Sequence, residues 1–359
     1  MRPSFRVTPR RLLYAVAALA VLGFLVGWSG IVNIGASSGH WRVTAWALHE
    51  VMQKSVRTYA LLEPQPPADL DSAANIRRAA GHYETACAFC HGSPLATSPI
   101  LAAHMTPAPP GLEGVGAKWT ARELSRIVRH GVKYTGMPSW IAPQRDDEVL
   151  AMAAFLRALP DMSAEDYRRL AVGPRVPEDP MLERCARCHG VDGGSSDSAF
   201  PLLAGQSEVY LANALNAYAK GTRPSGIMQF AVDGVPEPEL RRLAQYYAGL
   251  SGLSDRSEPD HTPGARIALH GLPEKDVPAC ESCHGRSASR NPAYPYLAGQ
   301  DAAYLAARLI RMKQDEPLDE RARVMHRIAE RLPDEAIDAV AEFYARQPRA
   351  GQGAAAAAR

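Results

Sequence analysis

Cys185-Ala186-Arg187-Cys188-His189 is the stretch whose reading decides the architecture. The same pattern stands at Cys87-Ala88-Phe89-Cys90-His91 and at Cys280-Glu281-Ser282-Cys283-His284, and the three pairs use all six cysteines of the chain. Two residues between the sulfurs let one helical turn carry both thiols to the two vinyl groups of a haem. The residue after the second thiol then lies beneath the porphyrin, where an imidazole binds iron as proximal ligand. The pattern predicts three covalent haem c groups on Cys87, Cys90, Cys185, Cys188, Cys280 and Cys283, with His91, His189 and His284 on the irons. Structural zinc competes poorly, because it asks for four ligands in one closed site and gives no reason for a histidine after every pair. A thioredoxin-like motif explains one pair beside a strand, not three, and structural disulfides leave the histidines unexplained.

A sixth ligand closes each iron and suits it to electron transfer; methionine does so and raises the potential. Met137, Met228 and Met325 follow their histidines by 46, 39 and 41 residues, and each is followed 18 residues later by an aromatic: Phe155, Tyr246 and Phe343. Those aromatics lie in apolar helical stretches, Val149 to Leu159, Leu240 to Leu250 and Ala336 to Tyr344, expected to close each unit. Met105, Met152, Met162, Met181 and Met312 read as core filler. His326, His104 and His130 are rival sixth ligands that would give bis-histidine haems.

Upstream, the run from Leu12 to Ile34 carries no charge and follows Arg2, Arg6, Arg10 and Arg11. It is long enough to cross roughly 30 Å of hydrocarbon as a helix. The arginines predict a cytoplasmic N-terminus, with everything after the span outside the inner membrane. A cleaved signal peptide ending near Ala36-Ser37-Ser38 is the competing reading, although a signal core usually has only about 7 to 15 apolar residues. Ala45 to Tyr59 reads as an amphipathic helix, with Trp41 and Trp46 either at the membrane interface or packed on the first unit. Pro64, Pro66 and Pro67 mark a stiff linker.

The expected organisation is an anchor over 1–38, the helix and linker over 39–70, haem units over 71–162, 174–252 and 263–347, and a disordered alanine-rich tail over 348–359. Pro107, Pro109, Pro110 and Gly111 form the loop over the first haem. Units two and three are duplicates: Leu203-Ala204-Gly205-Gln206 recurs as Leu297-Ala298-Gly299-Gln300, and Tyr210-Leu211 as Tyr304-Leu305. Strand alternation is missing, so the fold class is all-α. Units of roughly 80 to 90 residues are marginal without extra core, which predicts that haem-free units do not fold.

With these motifs on the page, the soluble part resembles class I cytochromes c. The last two units are similar to the di-haem cytochrome c4 family, through Cys185 to Gly190 with Leu203 to Gln206 and their counterparts around Cys280 and Leu297 to Gln300. The first unit is similar to a mono-haem cytochrome c with Thr135-Gly136-Met137-Pro138 as ligand loop. The resemblance implies three small cytochrome c domains, the last two a pseudo-twofold pair. It further implies a bacterial periplasmic electron carrier of the respiratory chain, between a quinol-oxidising complex or dehydrogenase and an oxidase or soluble acceptor; the fused first unit and the anchor depart from a di-haem carrier and predict a relay fixed to the inner membrane by a single pass. Arg223, Arg321 and Arg323 are expected either at haem propionates, since arginine pairs carboxylates bidentately, or on the solvated surface. A cytochrome subunit of a membrane dehydrogenase is the alternative function, and a haem peroxidase a weaker one. The 40 basic and 38 acidic side chains, net +2, give no basic patch and no case for nucleic acid.

Overall fold

The computed structural model describes residues 8–194, 199–286, 290–317 and 320–350, with the side chains of Glu320 and Arg321 outside that set. The expected tail from Gly351 onward, and Arg2 and Arg6, also lie outside the described residues. Among those described, the chain is helical throughout, with only isolated bridges such as Leu272 to Val277 in place of strands.

The first helix, Pro9–Trp28, starts on a Thr8 cap with Pro9 in its first turn, and none of its residues is buried. At 1.5 Å per residue its 20 residues reach about 30 Å. It is long and apolar enough to cross a membrane by length and composition. The uncharged run continues to Ile34, but the helix stops six residues earlier, because Ser29 folds its hydroxyl onto the Val26 carbonyl and Gly30 turns to φ +71°.

Arg42–Ala60 is the expected amphipathic helix. Its last turns bury Val56 and Ala60, while Trp41 and Trp46 stay exposed. The segment after it is docked rather than a free spacer. Glu63 is buried, taking Arg129 Nε at 2.7 Å, Arg126 Nη1 at 3.4 Å and His130 Nε2 at 3.3 Å. Arg122 adds bonds to the Leu61 and Glu63 carbonyls at 2.8 and 2.7 Å.

In the first unit, Ala73–His82 crosses Asp146–Ala158. Ala79 and Ala80 are small enough for close approach, and Tyr83, Val149, Ala153 and Phe155 fill the crossing with no exposed surface. The opening helix does not run straight to Cys87: it ends at His82 and passes through a wider turn, Tyr83–Cys87, before Ala88–His91. Wide turns of this kind recur at functional sites, because the extra residue re-aims the side chains that follow.

Units two and three face each other through their repeated Leu-Ala-Gly-Gln segments. The Gln206 amide donates to the Tyr296 carbonyl at 3.0 Å and accepts from the Tyr296 amide at 2.7 Å. The Gln300 amide does the same to Leu202, at 3.0 and 2.9 Å. This reciprocity, in which each residue meets the counterpart of its own partner, is the signature of a twofold contact. In each unit the segment is pinned to its closing helix, Gly205 N to the Tyr247 carbonyl at 3.0 Å and Gly299 N to the Tyr344 carbonyl at 2.8 Å. The 18-residue spacing finds a fully buried aromatic at Phe155 and Phe343 but not at Tyr246. That ring is half-exposed with its hydroxyl on the Val191 carbonyl at 3.0 Å, and Tyr247 takes the inner position.

Candidate haem-binding sites

All three motif histidines are placed alike. His91 Nδ1 lies 2.9 Å from the Pro110 carbonyl, His189 Nδ1 3.2 Å from that of Pro201, and His284 Nδ1 2.9 Å from that of Pro295. A carbonyl only accepts, so each Nδ1 carries the proton and each Nε2 keeps a free lone pair. This is the arrangement that fixes the tautomer and ring angle of a metal-binding histidine. Burial lowers the His189 pKa to about 4 and lowers that of His284 as well, which favours the neutral ring in both.

The cysteines stand free, with no disulfide between them. Burial chiefly pushes the thiols of Cys87 and Cys280 up to about 12 and that of Cys185 up to about 11. No group of three or more His, Cys, Asp or Glu among the described residues is placed to hold a metal ion. The zinc reading therefore finds no site among the described residues.

One cavity of about 920 Å³ runs between units two and three, at the upper end of the roughly 300 to 1,000 Å³ usual for ligand sites. It brings together Cys185, His189 and Met228 from one unit with Cys280, Cys283, His284 and Met325 from the other. Cys188 is turned toward the first unit, where a Cβ added to Gly81 would stand 2.9 Å from its sulfur. Cys87, Cys90, His91 and Met137 lie apart from this cavity, in the first unit. The Met137 loop closes on Gly131, whose φ of +61° and close approach to the Met137 carbonyl leave no room for a Cβ. Met137 N donates to Thr135 Oγ1 at 3.1 Å.

Two of the rival histidines have carboxylate partners, and one of these, His326, lines the cavity beside Met325. His130 is held by Glu63, and His326 has Nδ1 2.7 Å from the Met312 carbonyl and Nε2 3.4 Å from Glu330. His104 is exposed. Of the supposed core methionines, Met152 is buried, whereas Met181 and Met312 line the cavity.

The arginines fit a bound dianionic cofactor better than they fit one another. Arg223 is no surface residue: it lines the cavity, reaching Tyr210 and Tyr304 hydroxyls at 3.2 and 3.4 Å and lying 4.8 Å from the Tyr218 ring centre. Its Nε is buried without a partner, and so is that of Arg311. Burial, with Arg145 close by, pulls the Arg311 guanidinium down to about 10. A guanidinium nitrogen buried without a partner is costly, and a propionate carboxylate would supply one. Arg323 is exposed, and the Arg321 side chain lies outside the described residues. Arg311, together with Arg78, Arg145 and Arg308 on the same cavity, was missed from sequence. The residues fit haem: three of the four motif sulfurs of units two and three share one apolar space with both motif imidazoles, the Met228 and Met325 thioethers and guanidiniums whose Nε atoms have no partner.

Residues 74–156 match the family described as cytochrome c oxidase, cbb3-type, subunit III. The thiosulfate dehydrogenase electron acceptor of Thiomonas intermedia is 35% identical over 178 residues, 47% of this chain and 81% of that protein. Its namesake in Stutzerimonas stutzeri is 31% identical, covering 54% of this chain and 91% of the relative. Cytochrome c4 of Stutzerimonas stutzeri is 30% identical, covering 44% and 82%. The chain thus belongs to the cytochrome c family, which carries covalent haem c, and about half of its length is akin to cytochrome c4 and the thiosulfate dehydrogenase electron acceptors.

Proposed function

We propose that this chain is a membrane-anchored tri-haem electron relay. The observation that carries the reading is the threefold recurrence of a motif histidine with Nδ1 on a proline carbonyl. Bound haem supplies a one-electron couple at each site. The residues of the chain do the rest. His91, His189 and His284 would offer Nε2 to iron, and Met137, Met228 and Met325 would each offer a thioether. The six motif cysteines hold the macrocycles, and Arg223 and Arg311 pair with propionates. Six-coordinate iron changes charge with little rearrangement, which favours transfer over bond-making.

Two kinds of kin bear on the partners. The first unit matches an oxidase-subunit family, while two relatives are named as electron acceptors of a dehydrogenase. The direction supported is from a periplasmic dehydrogenase or quinol-oxidising complex toward an oxidase. The Pro9–Trp28 helix, exposed along its whole length, serves as the inner-membrane anchor. The relatives' names also favour a second reading, a cytochrome subunit stably bound to a dehydrogenase; co-purification of a catalytic subunit at fixed ratio would select it.

The test is the mass of the denatured full-length protein together with a redox titration of membranes. Three covalent haem additions and three low-spin haems are expected. Fewer additions, or a high-spin haem that turns over peroxide, would overturn the relay.

A further inference from the structure

Glu148 belongs to the first unit, at the start of the Asp146–Ala158 helix, yet both its oxygens serve the second. Oε1 accepts from Ser225 Oγ at 2.5 Å, and Oε2 accepts from the Gly226 amide at 2.7 Å. Arg145 Nη1 at 2.8 Å and Trp140 Nε1 at 3.2 Å complete its surroundings. The residue is 2% exposed, so water does not compete for these bonds. Arg145 reaches across as well, donating to the Pro224 carbonyl at 2.8 Å. Trp140 packs so closely on Gly226 that a Cβ there would overlap its indole. Pro224, Ser225 and Gly226 are therefore gripped from the first unit at every residue.

The gripped segment leads straight to the iron ligand. Ser225 Oγ, which donates to Glu148, accepts from the Met228 amide at 3.0 Å. The chain Glu148, Ser225, Met228 fixes the backbone that carries the thioether. Buried hydrogen bonds to a charged group are the strong kind, and loss of one partner leaves the others unsatisfied. We propose that Glu148 is a positioning residue through which the first unit holds Met228 on the iron of the second. The proposal rests on the reading of Met228 as sixth ligand.

The test uses the full-length ferric holoprotein, imidazole as competing ligand and the far-red band of methionine-bound haem as readout. Met228→Ala identifies the second haem, by losing one contribution to that band and binding imidazole directly. In Glu148→Gln an amide nitrogen faces donors, and imidazole is expected to bind that same haem about tenfold more tightly than in the wild type. Ser225→Ala keeps the Gly226 bond and is expected to give about a threefold change; it decides the matter if Glu148→Gln does not accumulate. Arg77→Gln is the control for loosening alone, because it removes bonds to the carbonyls of Leu170, in the connecting segment, and Arg187, in the second unit. It is expected to titrate like the wild type. If Met228→Ala leaves the band whole, the ligand reading fails. If Met228→Ala behaves as stated but Glu148→Gln and Ser225→Ala titrate like the wild type, the positioning role is overturned. Equal weakening in Arg77→Gln would overturn it too, as simple loosening of the interface.

Discussion

His82 ends the helix that leads to the first haem motif and is buried between Trp140 and Phe230, with ring centres 4.8 and 5.2 Å away. Burial lowers its pKa from 6.5 to about 4. The unfolded chain therefore binds a proton that the folded chain refuses, so stability is complete above about pH 6.5 and declines as pH falls toward 4. The size of that loss is about 3 kcal/mol. Denaturant midpoints measured at pH 7 and pH 4 are expected to differ less in His82→Phe than in the wild type. An unchanged difference would show that this ring does not titrate on unfolding. At the same scale, the motif histidines were legible from their spacing, but the proline carbonyls that orient them were not. Pro201 and Pro295 are ordinary residues in sequence, and only the folded loop sets their oxygens against Nδ1.

Between elements, the repeated Leu-Ala-Gly-Gln revealed a duplication without revealing its use. The glutamines bind across the pair, each amide satisfying both backbone groups of a residue in the other unit. Gln206→Ala or Gln300→Ala leaves two buried backbone groups without partners and is expected to cost about 2 kcal/mol each. Denaturation followed at the haem bands measures it. The double variant should depart from the sum of the singles, because both contacts hold one interface; strict additivity with losses near zero would mean the amides are replaced by water. The helix periodicity placed the closing helices within a few residues of Asp146–Ala158, Glu237–Ala248 and Asp334–Ala345. It does not report the wider turn at Tyr83–Cys87 inside the helical run that leads to the first motif.

As a whole molecule, the chain encloses a cavity of about 920 Å³ lined by all three units, including Arg78 and Arg145 of the first. An apolar space of that size left unfilled is destabilising in proportion to its volume. Haem-free protein is therefore expected to be cut rapidly by protease within 174–347, where the holoprotein resists. Equal resistance of the two forms would show that the helices pack without their cofactors. The ionic contact between Asp147 of the first unit and Arg311 of the third, at 3.2 Å, makes the junction a meeting of three bodies rather than two.

The sequence alone pointed to the haem chemistry: the two thiols and the motif histidine lie within five positions of one another, and local spacing is preserved whatever the chain does elsewhere. It determined the helical class and the duplication for the same reason, as both are repeats along the chain. Only the tertiary structure decided that Gln206 and Gln300 lock the pair, that Arg311 faces the cavity, and that Glu148 of one unit reaches the methionine segment of the next. Those contacts join residues tens of positions apart, and burial, which gives a carboxylate or guanidinium its force, exists only once the helices have packed.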